Sequence, residues 1–155
     1  MIRTIQGTAN GRGRRIGIVV SRFNDFVTHK LLNACRKELL RLGVKEKDIT
    51  ICRVSGSLEL PVTALALARK KNIDAVICLG AVIRGDTFHF ELVCYGASYG
   101  IAQASLMSGK PVIFGVLSTD TVRQAEQRSR DKGENKGRDA ARAAVEMIDV
   151  LAKLK

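Results

Sequence analysis

The sequence predicts an α/β protein: a three-layer α/β/α sandwich around a four-stranded, mainly parallel, flavodoxin-like sheet, with a peripheral strand near the N-terminus. Three observations predict it. Short apolar runs rich in Val and Ile alternate with stretches of helical periodicity, in the order β-α-β-α-β-α-β-α. The runs at Arg15–Ser21 and Asp74–Ile83 are nearly continuous in apolar residues rather than alternating, as strands covered by helices on both faces are. The chain has 155 residues, enough for one core, and no long linker, internal repeat or low-complexity tract divides it. One domain over residues 1–155 is expected, with an N-terminal arm over about 1–13.

Ile2–Thr8 alternates apolar and polar residues and reads as the peripheral strand. Arg15–Ser21 is a compact β-branched run, a buried strand. Over Phe26–Leu42, the residues Leu31, Leu32, Cys35, Leu39 and Leu42 share one helical face, and Gly43 is placed to stop the helix. Asp48–Val54 is the next strand. Ser57 is placed to cap a helix that has Pro61 in its first turn and runs to about Lys71. Asp74–Ile83 is a buried strand, Phe88–Ser108 a long helix and Pro111–Leu117 the last strand. Thr119–Ser129 and Asn135–Leu154 are helical, separated by the polar turn Arg130–Glu134.

Composition narrows the function classes. With 46% hydrophobic residues and no Trp, the chain is globular with a core of Val, Ile, Leu and Ala. No apolar run approaches the roughly 20 residues of a membrane span, and the first residues have no signal-peptide core. A cytoplasmic protein without membrane contact is expected. Cys35, Cys52, Cys78 and Cys94 form no close pair, so reduced, partly buried thiols are expected and a metal site is not. The net charge is +11, concentrated in Arg3–Arg15, Lys30–Lys47 and Arg123–Arg142. Such charge could draw nucleic acid, an acidic partner or an anionic substrate, or be a solvated surface. No aromatic-rich basic platform or recognition helix accompanies it, so nucleic acid is not the expected partner. There is no P-loop, complete dinucleotide fingerprint or nucleophile elbow, which disfavours nucleotide-dependent chemistry.

In such folds ligands bind where the carboxyl ends of strands meet helix N-termini, and four strand ends carry the unusual residues. The first has Phe23, a flat stacking surface or a gap filler, and Asn24, an amide for a heterocycle unless it or Asp25 caps the helix. The second has Gly56, Ser57, Leu58 and Glu59, with backbone donors and a carboxylate that also suit a plain capped helix. The third follows Val82 and Ile83. There the backbone of Gly85, Asp86 and Thr87, with the Thr87 hydroxyl, could cradle a phosphate, and His89 above it suits general acid–base work. A histidine at a helix start is also explained without chemistry. The fourth has Phe114, then Arg128 for bidentate phosphate contact and Lys136 as a point charge. Arg130, Lys132 and Arg138 read as a solvated basic face, and His29 as surface. Together these mark an enzyme acting on a phosphorylated small molecule.

Taken in order, Arg22-Phe-Asn24, Gly56-Ser-Leu-Glu-Leu-Pro61, Gly80-Ala-Val-Ile-Arg-Gly-Asp-Thr87, His89-Phe-Glu91, Phe114-Gly-Val116 and Asn135-Lys-Gly137 resemble the lumazine synthases across nearly the whole chain. The resemblance implies condensation of 5-amino-6-(D-ribitylamino)uracil with 3,4-dihydroxy-2-butanone 4-phosphate, in riboflavin biosynthesis and without a cofactor. It implies that Phe23 stacks on the pyrimidine, with Asn24, Gly56, Ser57, Leu58, Glu59, Val82 and Ile83 around ring and ribityl chain. Gly85, Asp86, Thr87 and Arg128 would hold phosphate, and His89 would move protons. Lys136 would assist and Phe114 close the pocket. It further implies a homopentamer with the site between subunits, a shell of twelve pentamers in some members, and association with riboflavin synthase. The N-terminal strand would pair with a neighbour's sheet. Ser55, Leu58, Phe88, Arg130, Asp131 and Asp139 depart from the family's usual residues.

Overall fold

A computed structural model describes residues Met1–Lys155. The elements run β1 (Ile16–Ser21), α1 (Asp25–Arg41), β2 (Ile49–Val54), α2 (Leu60–Ala68), β3 (Ala75–Ile83), α3 (His89–Ser108), β4 (Val112–Thr119), α4 (Val122–Gln127) and α5 (Lys136–Lys153). The four strands form one all-parallel sheet in the order β2-β1-β3-β4. This is the expected three-layer, flavodoxin-like arrangement.

The period of two along a strand sorts the core into two layers. Ile16, Ile18 and Val20 of β1, with Ala75, Ile77 and Leu79 of β3, face α1 and α5. Val19, Val76 and Cys78, with Val112 and Val116 of β4, face α2 and α3. Because β1 and β3 are buried on both faces, their sequences are apolar at every position but Ser21, the last of β1. Helix α1 ends as anticipated: Gly43 takes φ +97°, and the Val44 amide donates to the Leu39 carbonyl at 3.0 Å, the wrap that closes a helix at a left-handed glycine.

Three expectations change. Helix α2 ends at Ala68, not near Lys71, because Lys70, Lys71 and Asn72 have no apolar side to bury and turn into β3. Ser57 does not cap it by its side chain. It opens a 3-10 turn, Ser57–Glu59, and packs its hydroxyl against Gly80, where a Cβ would come within 2.7 Å of Ser57 Oγ. Residues 1–11 form no strand. Both edges of β1 are already paired, and this segment pairs with neither outer edge of the sheet, β2 or β4. It runs along α5 instead, with the Thr8 amide donating to Asp149 at 2.8 Å and Lys153 Nζ to the Gln6 carbonyl at 2.9 Å. The outer edge of β2 stays open, with Thr50, Ile51 and Arg53 exposed.

Cys35 and Cys78 are buried, and burial pushes their thiols up to about 12, so neither is a nucleophile. No helix is long and apolar enough to cross a membrane.

Between α1 and α5 sits a buried carboxylate, Glu38. It accepts from Arg41 at 2.7 Å and from Arg142 at 2.6 Å. These partners, Arg41 first, hold its carboxyl down to about 2 against an ordinary 4.5. A depressed carboxyl contributes stability above its unfolded value and loses it as the folded value is approached. The urea midpoint should therefore be level above about pH 5 and fall from there toward about pH 2. In Glu38→Gln that fall should be shallower and the neutral-pH midpoint lower.

Candidate active site

The order β2-β1-β3-β4 puts the topological switch point between β1 and β3, and a crevice opens outside their carboxyl ends. The cavity there is about 470 Å³ and is lined from three strand ends. The loop after β1 supplies Phe23, whose ring is 72% exposed. It is placed by a continuation of the β1–β2 ladder, with the Phe23 amide donating to the Ser55 carbonyl at 3.0 Å. The turn after β2 supplies Gly56, Ser57, Leu58 and Glu59. From β3 and the start of α3 come Val82, Ile83, Gly85, Thr87 and His89.

Asn24 lies outside this lining. It adopts φ 58°, a left-handed conformation that asparagine tolerates. Its amide nitrogen donates to the Ala81 carbonyl at 2.8 Å, so its side chain makes no capping bond to α1 and instead ties the Phe23 loop to β3. Asp86 is exposed and also lies outside the lining. Thr87 Oγ1 accepts a long bond from the His89 amide at 3.4 Å, and the His89 imidazole is exposed with no side-chain partner.

Four lining residues have no site role in the sequence reading: Ser55, Ala81, Phe90 and Val93. Phe90 and Val93 continue toward Ala97, Ile101 and Ala104, the sheet-facing stripe of α3, so helical periodicity contained that signal. Arg84 belongs to the Gly80–Thr87 motif, where the sequence gives it no role of its own. Its Nε donates to Asp120 at 2.7 Å, its Nη1 pairs with Glu91, and its guanidinium lies 4.3 Å from the Phe90 ring centroid. The two carboxylates hold Arg84 firmly protonated. This clamp joins the ends of β3 and β4 to the first turn of α3, on which His89 stands. With both partners engaged, Arg84 is not the free cation an incoming phosphate needs.

Arg128 and Lys136 open onto a second cavity of about 240 Å³, with Val116, Leu117, Ser118, Glu134 and Asp139. They are eight positions apart but joined by the Lys136 amide, which donates to the Arg128 carbonyl at 3.0 Å. The Ser129–Asn135 bridge closes the polar turn between them. Asn135 then caps α5, its Oδ1 accepting from the Gly137 amide at 2.9 Å. Arg138 donates to the carbonyls of Gly133 and Asp131 at 2.6 and 2.8 Å, so it staples the turn rather than serving as a merely solvated charge. Phe114 is partly exposed on β4, on the same strand face as Val116 and Ser118, and lines neither cavity. No residue lines both cavities.

A family model described as 6,7-dimethyl-8-ribityllumazine synthase matches residues 13–152. The chain belongs to that family. A curated relative, the 6,7-dimethyl-8-ribityllumazine synthase of Desulfatibacillum aliphaticivorans, is 46% identical over 155 residues, covering 100% of both chains. The lumazine synthases are transferases of riboflavin biosynthesis, and this chain is accordingly an enzyme of that class. It joins 5-amino-6-(D-ribitylamino)uracil to 3,4-dihydroxy-2-butanone 4-phosphate, with loss of phosphate and water. The family's small-molecule substrates suit a crevice built from a stacking ring, backbone donors and one imidazole.

Proposed function

We propose that lumazine formation takes place in a site shared by two copies of the chain, the first cavity of one being completed by the second cavity of its neighbour. The division of candidate groups supports this. His89 and Phe23 open onto one cavity, while Arg128 and Lys136 open onto another that shares no lining residue with it. A dianionic leaving group needs cations, and the first cavity's lining contains none.

In this reading Phe23 stacks on the pyrimidine, and Asn24 acts by fixing the loop that carries it. Gly56, Ser57, Leu58, Glu59, Val82 and Ile83 receive the ring and ribityl chain. The ribityl-bearing substrate brings an amine that is already nucleophilic, so the protein's task is alignment and proton movement. His89 takes and returns protons as the imine forms and phosphate leaves. The amides of Gly85 to Thr87 and the neighbour's Arg128 bind the phosphate. The neighbour's Lys136 adds positive charge, and its Phe114 closes the pocket. Leu58, where an aromatic is common in the family, leaves Phe23 as the ring's stacking partner.

A homopentamer is the assembly that best fits, with residues 1–11 pairing on the open β2 edge of an adjacent subunit. The short turn over 130–134 carries no insertion and is compatible with a shell of pentamers. Free thiols and a riboflavin-pathway role favour the cytoplasm.

The test is complementation. Subunits carrying His89→Ala or Arg128→Ala should each be poorly active alone, Arg128→Ala chiefly through a raised KM for the phosphorylated ketone. Refolded together in equal amounts, they should recover up to about a quarter of the wild-type sites, because only one neighbour pairing restores both groups. Recovery no greater than the sum of the separate variants would place the whole site within one chain.

A further inference from the structure

The family's reaction leaves the +11 charge unexplained, and the fold shows where that charge lies. The segments at the carboxyl ends of the strands, 22–25, 53–59, 84–91 and 120–139, hold nine Lys and Arg against nine Asp and Glu. The end that carries the site is therefore neutral overall. The segments at the opposite end are 12–15, 41–48, 69–74, 109–111 and 153–155. They hold twelve Lys and Arg against three Asp and Glu, a surplus of nine of the chain's eleven.

A parallel sheet gathers these segments because every strand begins at the same end. They touch one another: Arg15 pairs with Asp74 at 3.0 Å, Lys110 Nζ donates to the carbonyls of Lys70 and Ile73 at 2.8 and 2.6 Å, and the Gly11 amide donates to the Leu42 carbonyl at 2.8 Å. Two of the three carboxylates are already engaged, Asp74 by Arg15 and Glu46 by Arg36. Arg12, Lys45, Lys47, Arg69, Lys70 and Lys71 are exposed, and none of these side chains has an ion-pair partner. Helix carboxyl ends also point here, but each is worth about half a charge, so four offset only about two of the nine.

We infer that this end of the fold binds nucleic acid through its phosphates, without reading sequence. The cations span the starts of all four strands, about 15 Å at about 4.8 Å per strand, which suits an extended polyanion rather than a single phosphate. Phosphate contacts need only Lys and Arg, so the lack of an aromatic platform removes base stacking and specificity, not binding. An acidic protein partner would need an apolar centre to its interface, and the only large apolar side chain these segments expose is Leu154, too little for one.

The experiment uses the assembled protein and a fluorescein-labelled 20-nucleotide single-stranded RNA, read by anisotropy. A Kd of about 10 μM at low salt is expected, weakening about 50-fold between about 50 and about 200 mM salt if four phosphates are neutralised. The quadruple variant K45E/K47E/K70E/K71E should lose at least about tenfold in affinity while keeping lumazine formation, and R123E/K132E at the other end should bind as the wild type does. The inference fails if RNA does not bind, if both variants lose equally, or if poly-glutamate or phosphatidylserine vesicles compete as well as unlabelled RNA does.

Discussion

Replacing His89 by alanine should lower kcat for lumazine formation by about 100-fold, the size of a well-placed general acid–base contribution. The side chain is exposed and holds nothing in place, so the thermal midpoint and far-ultraviolet spectrum should not change. KM for the ribitylaminouracil should also stay put, because Phe23 and the 56–59 turn bind that substrate in the proposed site. The readout is appearance of the lumazine chromophore with both substrates saturating. Turnover within a few-fold of wild type would remove His89 from proton transfer and leave substrate groups or water in that role.

Replacing Gly137 by alanine should cost about 3 kcal/mol or more and lower the thermal midpoint by about 6 to 12 °C. Gly137 is the second residue of α5 and lies directly against the backbone of α1, where a Cβ would overlap the Leu31 carbonyl oxygen. A carbonyl inside a helix cannot yield as a flexible side chain can, so the two helices must separate. The same shift would move Lys136, one residue away, and disturb the Asn135 cap. Activity should fall with stability, and a calorimetric midpoint equal to wild type would show that α5 does not dock as closely as described.

Much of this architecture was legible in the sequence because its rules are local. Burial of β1 and β3 on both faces demands apolar residues along the strand, and Ile16–Val20 and Ala75–Ile83 show that pattern. The helix-stopping role of Gly43 follows from its freedom to take positive φ. Strand ends could be found because polar and glycine residues cluster there, and those after β1, β2 and β3 do meet at one cavity. Alternation shows that Ile2–Thr8 could be a strand but not where its partner edge lies, and within one chain it pairs with none. Ser57 is a similar case. Its spacing suited a cap, while Gly80, far away in sequence, left a place for its hydroxyl.

By itself, then, the sequence determined the α/β class, the order of elements, the family and the candidate residues at the strand ends, because periodicity and motif spacing are written along the chain. Only the tertiary structure decided how those residues are grouped. His89 faces one cavity and Arg128 with Lys136 another, since these depend on strand order and on a hydrogen-bonded turn between positions 128 and 136. It also decided that Arg84 is held by Glu91 and Asp120, and that the positive charge collects at the strand starts. Those are distances between segments far apart in sequence, and they exist only once the sheet has brought the segments together.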